Sequence, residues 1–233
     1  MKKICALLIT CAAVTAAVAT PAHAAVVILD FTGVATTSNS TTVGGFYNGG
    51  TSGNGNSGIN YGVEFSNNAL AINNYNGCCE PDAALGREGI LFFQSGGAVT
   101  VNYAAGFDTG FSFFYSSNSD ATINVYDGLG GTGSVLASLA LAKQANQNCA
   151  PGSTGFYCNW TPIGVNFAGV ARSIDFGGGA NFVAYDNITF GSALVGGAVP
   201  EPRTWAMMLL GFGFVGGAMR SAKRRQKLTV SYA

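Results

Sequence analysis

Any chemistry in the mature chain has to be done without histidine. The single imidazole, His23, stands at the end of an amino-terminal stretch that reads as removable. Met1-Lys2-Lys3 gives a positive start, Ile4 to Ala19 carries no charge, and Ala22-His23-Ala24 is a small-x-small site with cleavage expected before Ala25. A membrane-anchor reading of the same stretch is disfavoured, because the apolar run is short and ends at Pro21. Loss of residues 1–24 as a signal peptide excludes Ser-His-Asp and Cys-His nucleophile systems, and every zinc or iron site that needs a His ligand.

Carboxylates remain. Asp30 ends the first predicted strand and Asp186 opens the last. In jelly rolls these strands lie close together, so the two acids are candidate ligands of a structural calcium, which takes carboxylate, amide and carbonyl oxygens at about 2.4 Å. The competing reading is a pair of solvated turn residues. Glycoside hydrolysis needs two carboxyl groups about 5 to 9.5 Å apart, and the sequence singles out no such pair. Glu64 alternates with Val63 and Phe65 and reads as solvent-facing.

Four cysteines survive the loss of Cys5 and Cys11: Cys78, Cys79, Cys149 and Cys158. In an exported chain they read as two disulfides. A bond between the adjacent Cys78 and Cys79 is strained, which favours the pairings that tie their loop to the Cys149 to Cys158 loop. A four-thiolate metal site lacks the usual C-x-x-C spacing. Among aromatic side chains, Tyr47, Tyr61, Tyr157 and Trp160 could stack on sugar rings. Tyr47 alone sits in a Gly/Asn-rich loop that favours exposure, so it is the candidate stacking residue.

The elements that must position these groups are strands. Charged residues are only 9% of the chain, glycine supplies 34 residues and aromatics 12%, a composition suited to short strands joined by glycine turns. Period-two alternation runs through Val99, Val101 and Tyr103, then Phe111, Phe113 and Tyr115, then Ile123 and Val125. Further strands are expected at residues 26–31, 61–65, 70–73, 90–93, 135–141, 163–167, 172–176, 182–185 and 187–190. The fold class is therefore all-β, an antiparallel β-sandwich over residues 25–190. Residues 36–60, almost all Ser, Thr, Asn and Gly, are expected to form a mobile loop or a ligand-facing rim.

Charge is segregated. Between Ala25 and Val199 ten acids face Arg87, Lys143 and Arg172, a net charge of −7, so nucleic acid is excluded as a partner. The segments "GFSFFYSS", "ATINVYDGLGGTGSVLASLAL" and "ARSIDFGGGANFVAYDNITFG" resemble the jelly-roll, carbohydrate-binding ectodomains of surface proteins. That resemblance carries no site that transfers residue by residue.

The basic residues gather at the carboxyl end. Gly191 to Val199 is a small-residue linker, Pro200-Glu201-Pro202 follows, and Thr204 to Met219 is an uncharged run of about 24 Å as a helix. Arg220, Lys223, Arg224, Arg225 and Lys227 close it, a cytoplasmic end (220–227) under the positive-inside rule. The run is short for a hydrocarbon core of about 30 Å, and snorkelling of Arg203 and Arg220 with Trp205 at the interface makes a single transmembrane helix over 204–219 feasible. Gly213 and Gly217 form a G-x-x-x-G pair, and Gly211 and Gly216 bare the helix further.

The whole segment, "PEPRTWAMMLLGFGFVGGAMRSAKRR", resembles the PEP-CTERM sorting signal in its PEP-x-x-W-A-M variant, through Pro200, Glu201, Pro202, Trp205, Ala206, Met207, the glycines and the terminal arginines. Such tails have also been labelled ice-binding protein C-terminal domains, which is no sign of ice binding. The resemblance implies recognition by exosortase, a membrane transpeptidase, processing of the 200–233 tail near Pro200 to Pro202, and delivery to the cell surface or an exopolysaccharide matrix. Function is expected to be structural or carbohydrate-binding, with a carboxylate-dependent glycan-active enzyme or a ligand-free adhesion or surface-layer protein as alternatives.

Overall fold

The computed structural model describes residues 26–36, 39–73, 89–149, 156–196 and 202–224. Two antiparallel sheets pack face to face. The larger has the order β10-β7-β12-β5-β4-β2, with β1 pairing beside β12; the smaller has the order β3-β6-β11-β8-β9. The strands are β1 (Val27–Leu29), β2 (Thr41–Thr42), β3 (Val63–Phe65), β4 (Leu70–Asn73), β5 (Gly89–Phe92), β6 (Ala98–Phe107), β7 (Gly110–Ser117), β8 (Ala121–Tyr126), β9 (Val135–Leu141), β10 (Thr161–Asn166), β11 (Ala171–Gly177) and β12 (Val183–Phe190).

Alternation decides which side chains meet between the sheets. Val99 and Val101 of β6, Ile123 and Val125 of β8, and Phe111 and Phe113 of β7 point inward and are fully buried. Phe113 and Tyr185 close on Phe176 at centroid separations of 5.5 and 4.8 Å in edge-on geometry, which aromatic quadrupoles prefer. Tyr185 directs its hydroxyl to the carbonyl of Gly177 at 2.9 Å, so its polar end is satisfied inside the core. Each such ring contributes about 1.5 to 3 kcal/mol by leaving water.

The expected strands at 70–73 and 135–141 are found with the same bounds. The two strands expected at 182–185 and 187–190 are one, β12, whose register against β7 shifts between Asp186 and Thr189, with Asn187 at φ 50°. A bulge at a polar pair breaks the alternation and makes one strand look like two. The polar stretch at 36–60 is a correction: β2 lies within it, and Val43, Phe46 and Tyr47 turn inward to close one end of the core. Three apolar side chains are enough to fix it, and backbone bonds such as Val43 N–H to the Ala69 carbonyl (3.0 Å) hold it down. Asn39 and Ser40 at its start do face a groove.

The disulfide pairing is a second correction. Cys149 bonds Cys158, with Cα atoms 4.9 Å apart, rather than reaching the Cys78-Cys79 loop. The two ends of this loop are already side by side, because Asn148 Nδ2 donates to Asn159 Oδ1 at 2.6 Å and Gln144 Nε2 to Thr161 Oγ1 at 2.7 Å. Cys78 and Cys79 lie outside the described residues, as do the signal sequence, its cleavage site at Ala22, Ala24 and Ala25, and Pro200, Glu201 and Arg225.

The tail is helical over α1 (Pro202–Arg224), 23 residues or about 35 Å. Pro202 stands at the first helical position, where its missing N–H costs nothing. Among the described residues no helix is long and apolar enough to cross a membrane. The apolar run expected to span, 204–219, is diluted by four glycines and bounded by arginines.

Candidate functional site

Turning one face of the larger sheet inward leaves the opposite face of β4, β5 and β12 outward, and here the outward residues are apolar: Ile72, Ile90, Phe92 and Ala184. They form the floor of a groove of about 420 Å³, a volume in the range of small-ligand sites. Trp160 packs against Ile90 and Ala184 on the same outer face, and Phe114 leans on that cluster.

Polar groups ring the floor. Asn39, Ser40, Gln94 and Asn181 supply amides and a hydroxyl, and Tyr157 forms a wall. No charged side chain is among the described residues that line the groove. Asn181 is placed by its own backbone, at φ 65° with its N–H on the Phe93 carbonyl at 2.6 Å. Tyr157 is placed by the Cys149–Cys158 disulfide one residue away and by its hydroxyl, which donates to the Asn181 carbonyl. Phe156 and Phe182, next in sequence to these two, are half exposed at the rim.

The Tyr47 expectation is overturned. Its ring is 3% exposed, edge-on to Phe31 and Phe46, and its hydroxyl oxygen accepts the Phe31 N–H at 2.9 Å. The loop that carries it folds inward. Burial first, and the Asp30 carboxylate second, push its pKa well above the ordinary phenol range. Tyr61 stacks on it at 6.2 Å. Tyr157 is thus the aromatic residue that sequence reasoning named without singling out; its signal was the cysteine next to it.

Asp30 and Asp186 are carried by neighbouring parts of the larger sheet. β1 pairs β12 with Leu29 opposite Ile188, and both acids act electrostatically on the Tyr47 hydroxyl. Asp30 is exposed and caps the Thr32 N–H at 3.1 Å, whereas Asp186 is fully buried and its Oδ1 accepts the Asn187 N–H at 2.6 Å. Among the described residues no cluster of three acids, cysteines or histidines forms. Glu64 points outward and accepts from Asn48 Nδ2 at 2.7 Å.

Trp205, Ala206, Met207, Gly211, Gly213, Gly217, Arg220, Lys223 and Arg224 all fall on α1. A methyl group added at Gly211, Gly213, Gly216 or Gly217 would meet nothing, so that surface is open to a partner helix.

Residues 198–225 match the PEP-CTERM protein-sorting motif. Among curated proteins, none matches the chain in sequence. Several solved structures overlap its strands: a family 6 carbohydrate-binding module dissected for its binding sub-sites (21% identity, 54% of this chain and 83% of that one, TM-score 0.35); CsCBM6-3 from Clostridium stercorarium in complex with cellobiose (16%, 55% and 84%, TM-score 0.36); and the module CBM6cm-2 from Cellvibrio mixtus lichenase 5A in complex with cellotriose (13%, 56% and 87%, TM-score 0.34). Likeness at this level says nothing of which residues would touch a sugar.

Proposed function

We propose that this chain, which carries a PEP-CTERM motif on residues 198–225, is exported, processed by exosortase at the membrane and delivered to the cell surface or extracellular matrix, where its sandwich holds exopolysaccharide. The observation that carries the reading is the coincidence of that motif with α1, which begins on the last residue of Pro-Glu-Pro and runs into the basic cluster. Leu209, Phe212, Phe214 and Met219 stand exposed along it, apolar surface suited to lipid or to a membrane enzyme.

The outer-face groove supports the ligand half of the reading. Apolar floor, aromatic wall and uncharged amides match the alternating apolar faces and hydroxyl edges of a neutral sugar. A glycan-cleaving enzyme would need paired carboxyl groups, and those lining residues include none.

Intact mass of the protein from secreted and membrane fractions, with and without the host exosortase, tests the sorting. A secreted species from Ala25 to about Pro202 that requires the exosortase is expected; a full-length membrane form in both strains would make the tail a plain anchor. Retention on the host polysaccharide tests the groove, and a protein that passes through unretarded would instead be an adhesion or surface-layer component.

A further inference from the structure

The segment between sandwich and sorting motif is not a free tether. Gly191 N–H bonds the Gly110 carbonyl at 2.9 Å, and Thr109 Oγ1 donates to the Gly191 carbonyl at 2.7 Å. Ser112 Oγ donates to the Ser192 carbonyl at 2.9 Å, and Gly196 N–H reaches Thr189 Oγ1 at 3.2 Å. The strap lies in a trough of small residues on the outer face of β7 and β10: a methyl group at Gly110 or at Gly164 would overlap the backbone of Ala193. Residues 191–196 are thus seated on the sheet by hydrogen bonds to their main chain, with no fully buried side chain among them; Leu194 is 57% exposed and Ala193 and Val195 are half-buried.

Seating the strap shortens the leash. Three residues separate Gly196 from Pro200, so even fully extended the motif starts within about 14 Å of the folded sandwich. An enzyme that acts at the motif has to hold extended residues on either side of the bond, and beyond the three residues before Pro200 the upstream ones are those that the strap keeps on the sheet.

We propose that residues 191–196 are a latch: the sorting enzyme takes its upstream peptide from a strap that has peeled off β7 and β10. Held by a few hydrogen bonds, the strap opens without unfolding the core. Peeling adds six residues, about 20 Å of reach. This inference rests on the proposed exosortase processing of the tail.

The test is pulse-chase processing of the full-length protein in its host. Thr109→Gly removes the donor to Gly191 and suits a backbone that sits at φ 68°; loss of one such bond raises the open fraction, and with it the processing rate, about fivefold. A six-residue Gly-Ser insertion between Gly196 and Gly197 supplies reach without peeling. It is expected to speed processing of the parent and to erase the advantage of Thr109→Gly. Equal rates for parent, Thr109→Gly and the insertion overturn the latch while leaving sorting intact. No processing of any of them, parent included, is the failure of the sorting reading itself. Thermal unfolding of each secreted variant confirms that the sandwich has folded.

Discussion

The hydroxyl of Tyr157 donates to the main-chain carbonyl of Asn181, so one hydrogen bond joins the wall of the groove, on the disulfide loop, to its lip, on the turn entering β12. Tyr157→Ala removes ring and bond, and is expected to weaken retention on the host polysaccharide by about fivefold to tenfold. Tyr157→Phe keeps the ring and most of the retention. Affinity electrophoresis through a gel containing the polymer separates the two, and identical mobility of parent, Phe and Ala forms would remove Tyr157 from the site.

Replacing both Cys149 and Cys158 by Ser opens a loop of nine residues' separation. The expected loss is about 2 to 3 kcal/mol, chiefly through a freer unfolded chain. For a domain of this size that lowers the thermal midpoint by several degrees, and retention falls with it because Tyr157 loses its staple. A midpoint that dithiothreitol leaves unmoved in the parent would show that the bond is not formed in the isolated protein.

Tyr47 and Tyr185 both keep their protons far above the ordinary 10.0, through burial in each case and through Asp30 in addition for Tyr47. A folded-state pKa above the unfolded one means the folded protein binds more protons. The stability these phenols support is therefore complete below about pH 10 and lost as pH rises beyond it, by up to about 1.4 kcal/mol per pH unit for each ring. Tyr47→Phe is expected to cost about 1 kcal/mol at pH 7, where the Phe31 N–H loses its acceptor, yet to give a shallower alkaline limb. Urea melts from pH 7 to 11.5 read both effects; an unchanged alkaline slope would place the titration elsewhere.

Asp30 and Asp186 lie on the paired strands β1 and β12 or at their ends, and a calcium ion held by both would draw its remaining ligands from amide and carbonyl oxygens. Calcium is expected to raise the thermal midpoint of the parent and to leave that of Asp186→Asn unmoved. A parent whose midpoint is the same in calcium and in EGTA rules the site out.

Strand positions were legible wherever one face of a strand is apolar and the other is not, as along β6, where Val99 and Val101 alternate with Thr100 and Asn102, and along β8, where Ile123 and Val125 alternate with Thr122 and Asn124. Legibility failed where the rule is local and the cause is not. Tyr47 sits among Gly and Asn, yet Val43 and Phe46 turn inward with it and commit that loop to the core. Cys149 and Cys158 looked free to reach another loop until amide pairs at the loop's neck set them side by side. The groove was hidden for a related reason: Ile72, Ile90, Phe92 and Ala184 come from three separate strands, and only sheet order β4-β5-β12 makes them a surface. The sorting motif, whose signal is contiguous, was readable, whereas the span expected over 204–219 was not found, because its glycines dilute the apolar run.

β12 runs the height of the sandwich, roughly 20 Å from Val183 to Phe190. Its last residue adjoins both the strap and, through the Val27 pairing, the first strand of the chain, while its first residues border the groove. The first strand and the strap therefore meet the sheet together at the foot of a mast whose head carries the groove. A sandwich held by its strap would present that groove toward the end far from the point of attachment.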